Sequence, residues 1–257
     1  MRFASLGSGS EGNALVVEVG RTRIMLDCGF GLRDTVRRLA AKALQPEAVD
    51  AIVITHEHSD HIGGAARFAR KYGIPVWMTC GTLAVFRNQC AQLPEVHELD
   101  SHTAFAIGDI EIHPFPVPHD AREPVQFVFG DGVHRLGVLT DVGASTAHIE
   151  AMLSGCDALV LECNHDRDLL ASSAYPLGLK RRIAGRFGHL DNHAAAALLS
   201  RLDNRRLQHL VAAHLSRHNN TPQLAVQALA EVLGCMPDWF SHATQDEGFD
   251  WRDLRTV

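Results

Sequence analysis

Short apolar runs broken by glycine, proline and Asx pairs open the chain, and their period decides what each run becomes. Residues 2–6 read as a strand, and residues 14–19 and 23–26 as a hairpin turning at Gly20-Arg21. A helix dotted with Arg33, Arg37, Arg38 and Lys42 runs to about Ala43. A strand over 51–54 precedes a helix over 64–72, which Gly73-Ile74-Pro75 stops. A strand over 76–78 and a helix over 82–89 follow. From Glu95 the pattern turns to strands, over 96–99, 104–107, 110–115, 125–129 and 135–139, with Gly-Asp pairs between some of them. Residues 145–153 read as a helix capped by Ser145, and 158–161 as a buried strand. The pattern then predicts helices over 177–186 and 192–202, a strand over 207–213 and a helix to about Leu233 opened by Thr221-Pro222. The tail from Trp239 adds an edge strand.

Strand-rich blocks alternating with helices predict an α/β chain with helices outside packed sheets. No linker or low-complexity run divides residues 1–257, so a single domain is expected. One faint internal echo exists: strands end in Asp27-Cys28-Gly29 and again in Asp141-Val142-Gly143. It gives modest support to a duplicated half-domain.

Composition changes the picture in three ways. The net charge of −6 and pI near 6.2 exclude an electrostatic coat of nucleic acid. They leave room for nucleic acid in a metal-lined cleft, where divalent ions would offset the charge. There is no signal peptide and no apolar run long enough for a bilayer, so no membrane partner is expected. The six cysteines show no paired spacing, which points to a reduced, cytoplasmic protein. The sixteen histidines are the oddity.

Those histidines concentrate in Thr55-His56-Glu57-His58-Ser59-Asp60-His61, just after a strand. Imidazoles two apart on an extended segment face the same way, so His56 and His58 can bind one ion. Asp60 and His61 follow where the chain turns into a helix and can face a second ion. His119, Asp141 and His214 each sit at a strand end, where ligands converge in open sheets. Singly each reads as a cap or loop residue. Beside the early cluster they complete the count that two ions need, with positions left open for water.

The His-x-His-x-Asp-His run, then a lone His, a strand-end Asp and a late His, resembles the metallo-β-lactamase superfamily. The resemblance implies an αββα four-layer sandwich and two divalent ions, Zn, Mn or Fe. One ion would take His56, His58 and His119, the second Asp60, His61 and His214, and Asp141 would bridge them. No Cys stands at the bridging position, which disfavours antibiotic hydrolysis. Closer similarity is to the single-domain YycJ/WalJ-type nucleases. It is carried by Gly7-Ser8-Gly9-Ser10, Gly12-Asn13, residues 55–61, His119-Asp120-Ala121, Glu162-Cys163-Asn164-His165-Asp166, Gly188-His189-Leu190, His214-Leu215-Ser216 and Asn219-Asn220-Thr221-Pro222. That family implies exonuclease action on DNA.

The resemblance further implies a metal-bridging hydroxide aimed by Asp60, with His165 or His189 as proton donor or phosphate clamp. Glu162 and Asp166 are placed to orient His165, and Asp120 to hold the second nitrogen of a ligand histidine. Two other readings stay open: a hydrolase of thioesters, lactones or cyclic phosphodiesters with the same site, and a non-catalytic metal-binding module. The basic run Lys180 to Arg186 reads most simply as a solvated charged face. Oligomeric state is not legible.

Overall fold

The structure is a computed structural model that describes residues 1–90, 93–236 and 239–256. Two seven-stranded sheets pack face to face. The first contains β1 (Arg2–Gly7), β2 (Ala14–Val19), β3 (Thr22–Leu26), β4 (Ala51–Val53), β5 (Val76–Thr79), β6 (Val96–Leu99) and, beside β1, β14 (Phe249–Asp253). The second contains β7 (Phe105–Ile107), β8 (Ile110–Pro116), β9 (Val125–Gly130), β10 (Arg135–Leu139), β11 (Ala158–Glu162), β12 (His209–Ala213) and β13 (Ser241–His242). Helices α1 (Leu32–Ala41), α2 (Ser59–Ile62), α3 (Ala65–Tyr72) and α4 (Cys80–Cys90) belong to the first half. Helices α5 (Ala147–Leu153), α6 (Arg167–Ser172), α7 (Leu177–Ile183), α8 (Asn192–Leu199) and α9 (Pro222–Leu233) belong to the second.

The strands are apolar on both faces because both faces are covered. In β3, Ile24 and Leu26 point between the sheets while Met25 points to the outer helices. In β11, Ala158 and Val160 point inward while Leu159 and Leu161 meet the other helix layer. Leu39 of α1 and Phe68 of α3 cover the first sheet; Ile149, Leu198 and Leu229 cover the second. The result is the helix–sheet–sheet–helix order expected of the αββα sandwich.

The two sheets repeat one topology. β1, β2 and β3 pair antiparallel and β3 through β6 parallel; β8, β9 and β10 pair antiparallel and β10 through β13 parallel. The echoed Asp27 and Asp141 follow the third strand of each set, and both take a left-handed backbone, φ 60° and 51°. Parallel pairing also aligns carboxyl ends. Leu26 pairs with Val53, Leu139 with Leu161, and Glu162 with Ala213, so the residues just beyond them share one rim.

Several boundaries differ from the pattern-based reading. The α5 cap is Thr146, whose hydroxyl accepts from the Ile149 N–H at 3.2 Å; Ser145 instead donates to Glu150. The helix expected through Arg186 stops at Ile183, because the chain doubles back at Gly185 and the Gly188 N–H returns to the Gly185 carbonyl. The alanine-rich helix stops at Leu199, three residues before Leu202. α2 and α6 are too short for a periodicity to show.

Candidate metal centre

The early cluster is delivered by a loop rather than by the strand itself, since β4 ends at Val53. Asp27 ties that loop down: its Oδ1 accepts from the Thr55 N–H at 2.9 Å. His58 is the extended residue before α2, and Asp60 and His61 lie in that turn of helix. Asn13, from the glycine-rich turn, donates its N–H to the Asp60 carbonyl at 2.7 Å, and its side chain bonds Gly9 in both directions. The Ser8 hydroxyl accepts from the His214 N–H at 3.0 Å. The glycine turn is therefore a brace for the site.

All seven side chains assigned to metal by the sequence converge. Ligand atoms of His56, His58 and His119 lie within 4.8 Å of one another, as do those of Asp60, His61 and His214, and those of His56, His61 and Asp141. Asp141 stands between the two sets. Its Oδ1 is 3.8 Å from His119 Nε2 and 3.6 Å from His214 Nε2, and its Oδ2 is 3.0 Å from His61 Nε2. Asp60 Oδ2 is 3.4 Å from His61 Nε2 and 3.7 Å from His214 Nε2. His58 Nδ1 is 3.3 Å from His119 Nε2.

A divalent cation fits these residues. His56 Nε2 and His214 Nε2 are buried and have no hydrogen-bond partner, and Asp141 Oδ2, equally buried, has only the 3.0 Å contact with the His61 ring. Leaving buried polar atoms unsatisfied is costly, and lone pairs converging on a shared volume are satisfied together by a cation. The outer nitrogens are already engaged: His56 Nδ1 with the Thr55 hydroxyl at 2.9 Å, His61 Nδ1 with Asp27 Oδ2 at 2.7 Å, and His119 Nδ1 with the Gly188 carbonyl at 3.1 Å. His214 Nδ1 is 3.3 Å from Glu162 Oε1. Such partners fix the tautomer and free Nε2 for a metal.

Charge tells the same story. Burial works to raise the Asp141 carboxyl, but the charges of His214 and His61 hold it well below the usual carboxylate range. Burial works to lower His214, yet Asp141, Asp60 and Glu162 lift it to about 10. Carboxylates and imidazoles this close together make a charge pattern that a bound cation would complete.

Glu162 and Asp27 carry more than the sequence assigned them. Glu162 accepts from the Asp141 and Val142 N–H groups, each at 3.1 Å, from the Leu190 N–H at 3.0 Å, and pairs with His189 Nδ1 at 2.8 Å. With the His214 contact above, one buried carboxylate pins three segments. The strand-end echo with Asp141 was the available signal for Asp27; Glu162 was marked only as an orienter of His165, and nothing local pointed to the partners it has.

His189 and His165 part company. His189 lines a cleft of about 270 Å³ together with Ser10, His58, Asp60, Asp120 and Arg182. Burial works to lower it, but the adjacent Glu162 carboxylate raises it above the ordinary histidine value. His165 is buried and does not line that cleft. Its expected orienters are used elsewhere: Glu162 as above, and Asp166 as the cap of α6, accepting from Asp168 and Leu169. Its Nδ1 meets Asn164 Oδ1 at 3.3 Å. Asp120 approaches His58 Nε2 only to 3.9 Å and pairs with Arg182 at 2.5 Å. A larger hollow of about 780 Å³ beside α9 receives none of the metal-ligating cluster.

Two mixed sheets flanked by helices, with a His/Asp cluster on their common rim, define a metal-binding hydrolase of the metallo-β-lactamase superfamily. The chain belongs to that superfamily: the Beta-lactamase superfamily domain model matches residues 22–214. It is 34% identical over 239 residues to exodeoxyribonuclease YycJ of Bacillus anthracis, covering 91% of this chain and 89% of the relative. It is 32% identical over 236 residues to exodeoxyribonuclease WalJ of Streptococcus pneumoniae serotype 2, covering 90% and 88%. In fold it matches the metallo-β-lactamase fold protein YhfI of Bacillus subtilis with a TM-score of 0.75 at 16% identity, over 96% of this chain and 97% of that one. Among the described residues, no helix is long and apolar enough to cross a membrane.

Proposed function

We propose that the chain is a dinuclear-metal phosphodiesterase acting as an exonuclease on DNA. The carrying observation is the double ligand set converging on Asp141 beneath a cleft that also holds His189 and Arg182. The two exodeoxyribonuclease relatives, similar along most of their length, support DNA as the substrate. His56, His58 and His119 would hold one ion, Asp60, His61 and His214 the other, and Asp141 would serve both. A His/carboxylate set without thiolate suits Zn, Mn or Fe. Residues 1–257 are read as one domain working in the cytoplasm, in keeping with free cysteines at Cys28, Cys80, Cys156, Cys163 and Cys235.

When bound, the cations would neutralise phosphate oxygens and lower the pKa of water toward neutrality. The chain's own residues do the rest. Asp60 accepts a hydrogen bond from the attacking water and aims it. Glu162 engages His189 Nδ1 at 2.8 Å, which leaves Nε2 to protonate the departing oxygen. Arg182, on the cleft wall, meets the phosphate backbone. No role falls to His165.

Purified protein supplied with Mn or Zn should release nucleotides stepwise from end-labelled DNA. The Asp60→Ala and His58→Ala variants should fold but lose turnover. Hydrolysis of acyl esters alone, with single- and double-stranded DNA and RNA all left intact, would overturn the proposal in favour of a small-molecule hydrolase.

A further inference from the structure

Residues 173–188 form a strap across one wall of the cleft, and much of its outer face is exposed. α7, within it, buries no residue. Leu177 is 62% exposed and Phe187 57% exposed, so both leave apolar surface open to a ligand. The strap's base is nonetheless fixed. A Cβ at Gly143 would overlap the Arg186 carbonyl, and one at Gly188 would overlap the carbonyls of Arg182 and Ile183. The Asp120 N–H donates to the Phe187 carbonyl at 3.0 Å, next to the Gly188 carbonyl that engages His119. Phe187 is thus held in place one residue from a group that orients a metal ligand.

The strap is also a local reversal of charge. Residues 175–190 hold Lys180, Arg181, Arg182 and Arg186 and no Asp or Glu, in a chain of net charge −6. Arg182 is engaged by Asp120, and Lys180 donates to the Ala171 carbonyl. Arg181 and Arg186 are exposed, with no ion pair among the described residues. Exposed aromatic surface interleaved with arginine, anchored beside a phosphodiesterase cleft, matches the chemistry of a single strand: phosphates for the guanidinium groups and unstacked bases for the ring.

We propose that the strap is a docking platform for the single-stranded end of DNA, with Phe187 stacking on a base near the cleft and Arg181 and Arg186 contacting phosphates. This rests on the nuclease reading above and adds the feature that selects an unpaired end. A blunt duplex exposes only the outer face of its terminal pair and keeps every other base stacked, so Phe187 reaches a base along a strand only where the end is unpaired or frayed.

Steady-state cleavage of a labelled single-stranded dodecamer by the metal-loaded full chain tests this. Phe187→Ala should raise KM about tenfold with kcat kept within about twofold, and Phe187→Trp should restore KM. Replacing both Arg181 and Arg186 by Ala should weaken binding and make the log–log salt dependence shallower by about 1.4. Anisotropy of the same oligonucleotide on the His58→Ala protein separates docking from chemistry. If the wild type cuts and both sets of variants keep its KM, the nuclease reading stands and the platform falls. If nothing is cut yet Phe187→Ala still weakens binding, the platform stands and the nuclease reading falls. Equal affinity for blunt duplex and single strand would also overturn the platform.

Discussion

Asp27 Oδ2 stands 2.7 Å from Nδ1 of His61, and both side chains are buried. Asp27 also holds the Thr55 N–H and hydroxyl, so a single carboxylate sets both the loop and the tautomer of one proposed ligand. Asp27→Asn keeps an acceptor for Thr55 but removes the charge behind His61. Metal affinity should fall about 10–100-fold with the fold intact, as chelator competition would measure. Wild-type affinity would remove Asp27 from the site.

His189, on the cleft wall with its Nδ1 engaged by Glu162, has the proposed role of proton donor to the leaving group. His189→Ala should lower kcat on DNA about 10²-fold while leaving metal content unchanged. A nitrophenyl ester of a nucleotide has a leaving group that needs no proton, so the same variant should be much less impaired on it. Equal losses on both substrates would argue against proton donation. His58→Ala should cost more than His189→Ala on either.

Gly29 and Asp60 are in backbone contact. A Cβ at Gly29 would overlap the Asp60 carbonyl and crowd the Asn13 N–H. Gly29→Ala must therefore displace the loop that carries Asp60 and His61. A loss of about 1–3 kcal/mol by urea titration is expected, together with weaker metal binding. An unchanged midpoint would mean the loop yields freely.

Asp131, in the turn between β9 and β10, accepts from the N–H groups of Val133 and His134, and its Oδ2 is 3.0 Å from the His134 ring. Burial opposes these contacts, but the backbone and side chain of His134 hold its carboxyl below the usual range. A depressed carboxyl contributes stability above its unfolded value and loses that contribution as pH falls toward the folded one. Asp131→Asn should therefore lower Tm at pH 7, and the difference should shrink below about pH 4. A constant difference across that range would show the charge to be irrelevant.

Much of this arrangement was legible before any coordinates. The doubly buried strands announced themselves as unbroken apolar runs, and residues 55–61 announced a metal site by density alone. His119, Asp141 and His214 were legible because a strand end followed by a ligand-type residue is a positional statement, and parallel pairing puts such ends on one rim. What failed was local and short-ranged. Thr146 displaced Ser145 as a cap because either hydroxyl fits the sequence, and only the backbone angle chooses. The strap after α7 looked like more helix because the reversal rests on close backbone contacts of Gly185 and Gly188 with the carbonyls of residues 181–183, which leave no mark on the periodicity. Glu162 looked like an orienter of its neighbour His165. It instead serves residues 141, 142, 189 and 214, partners that no linear spacing reveals.

The matched topology of the two sheets has a consequence for synthesis. Each proposed ion draws two donors from residues 56–61 and one from the second half, and Asp141 lies there too. A ribosome-bound chain that has made only β1 to β6 owns two of the three donors proposed for each ion. On this reading the proposed hydrolysis waits until β12 has been made and His214 has joined the set.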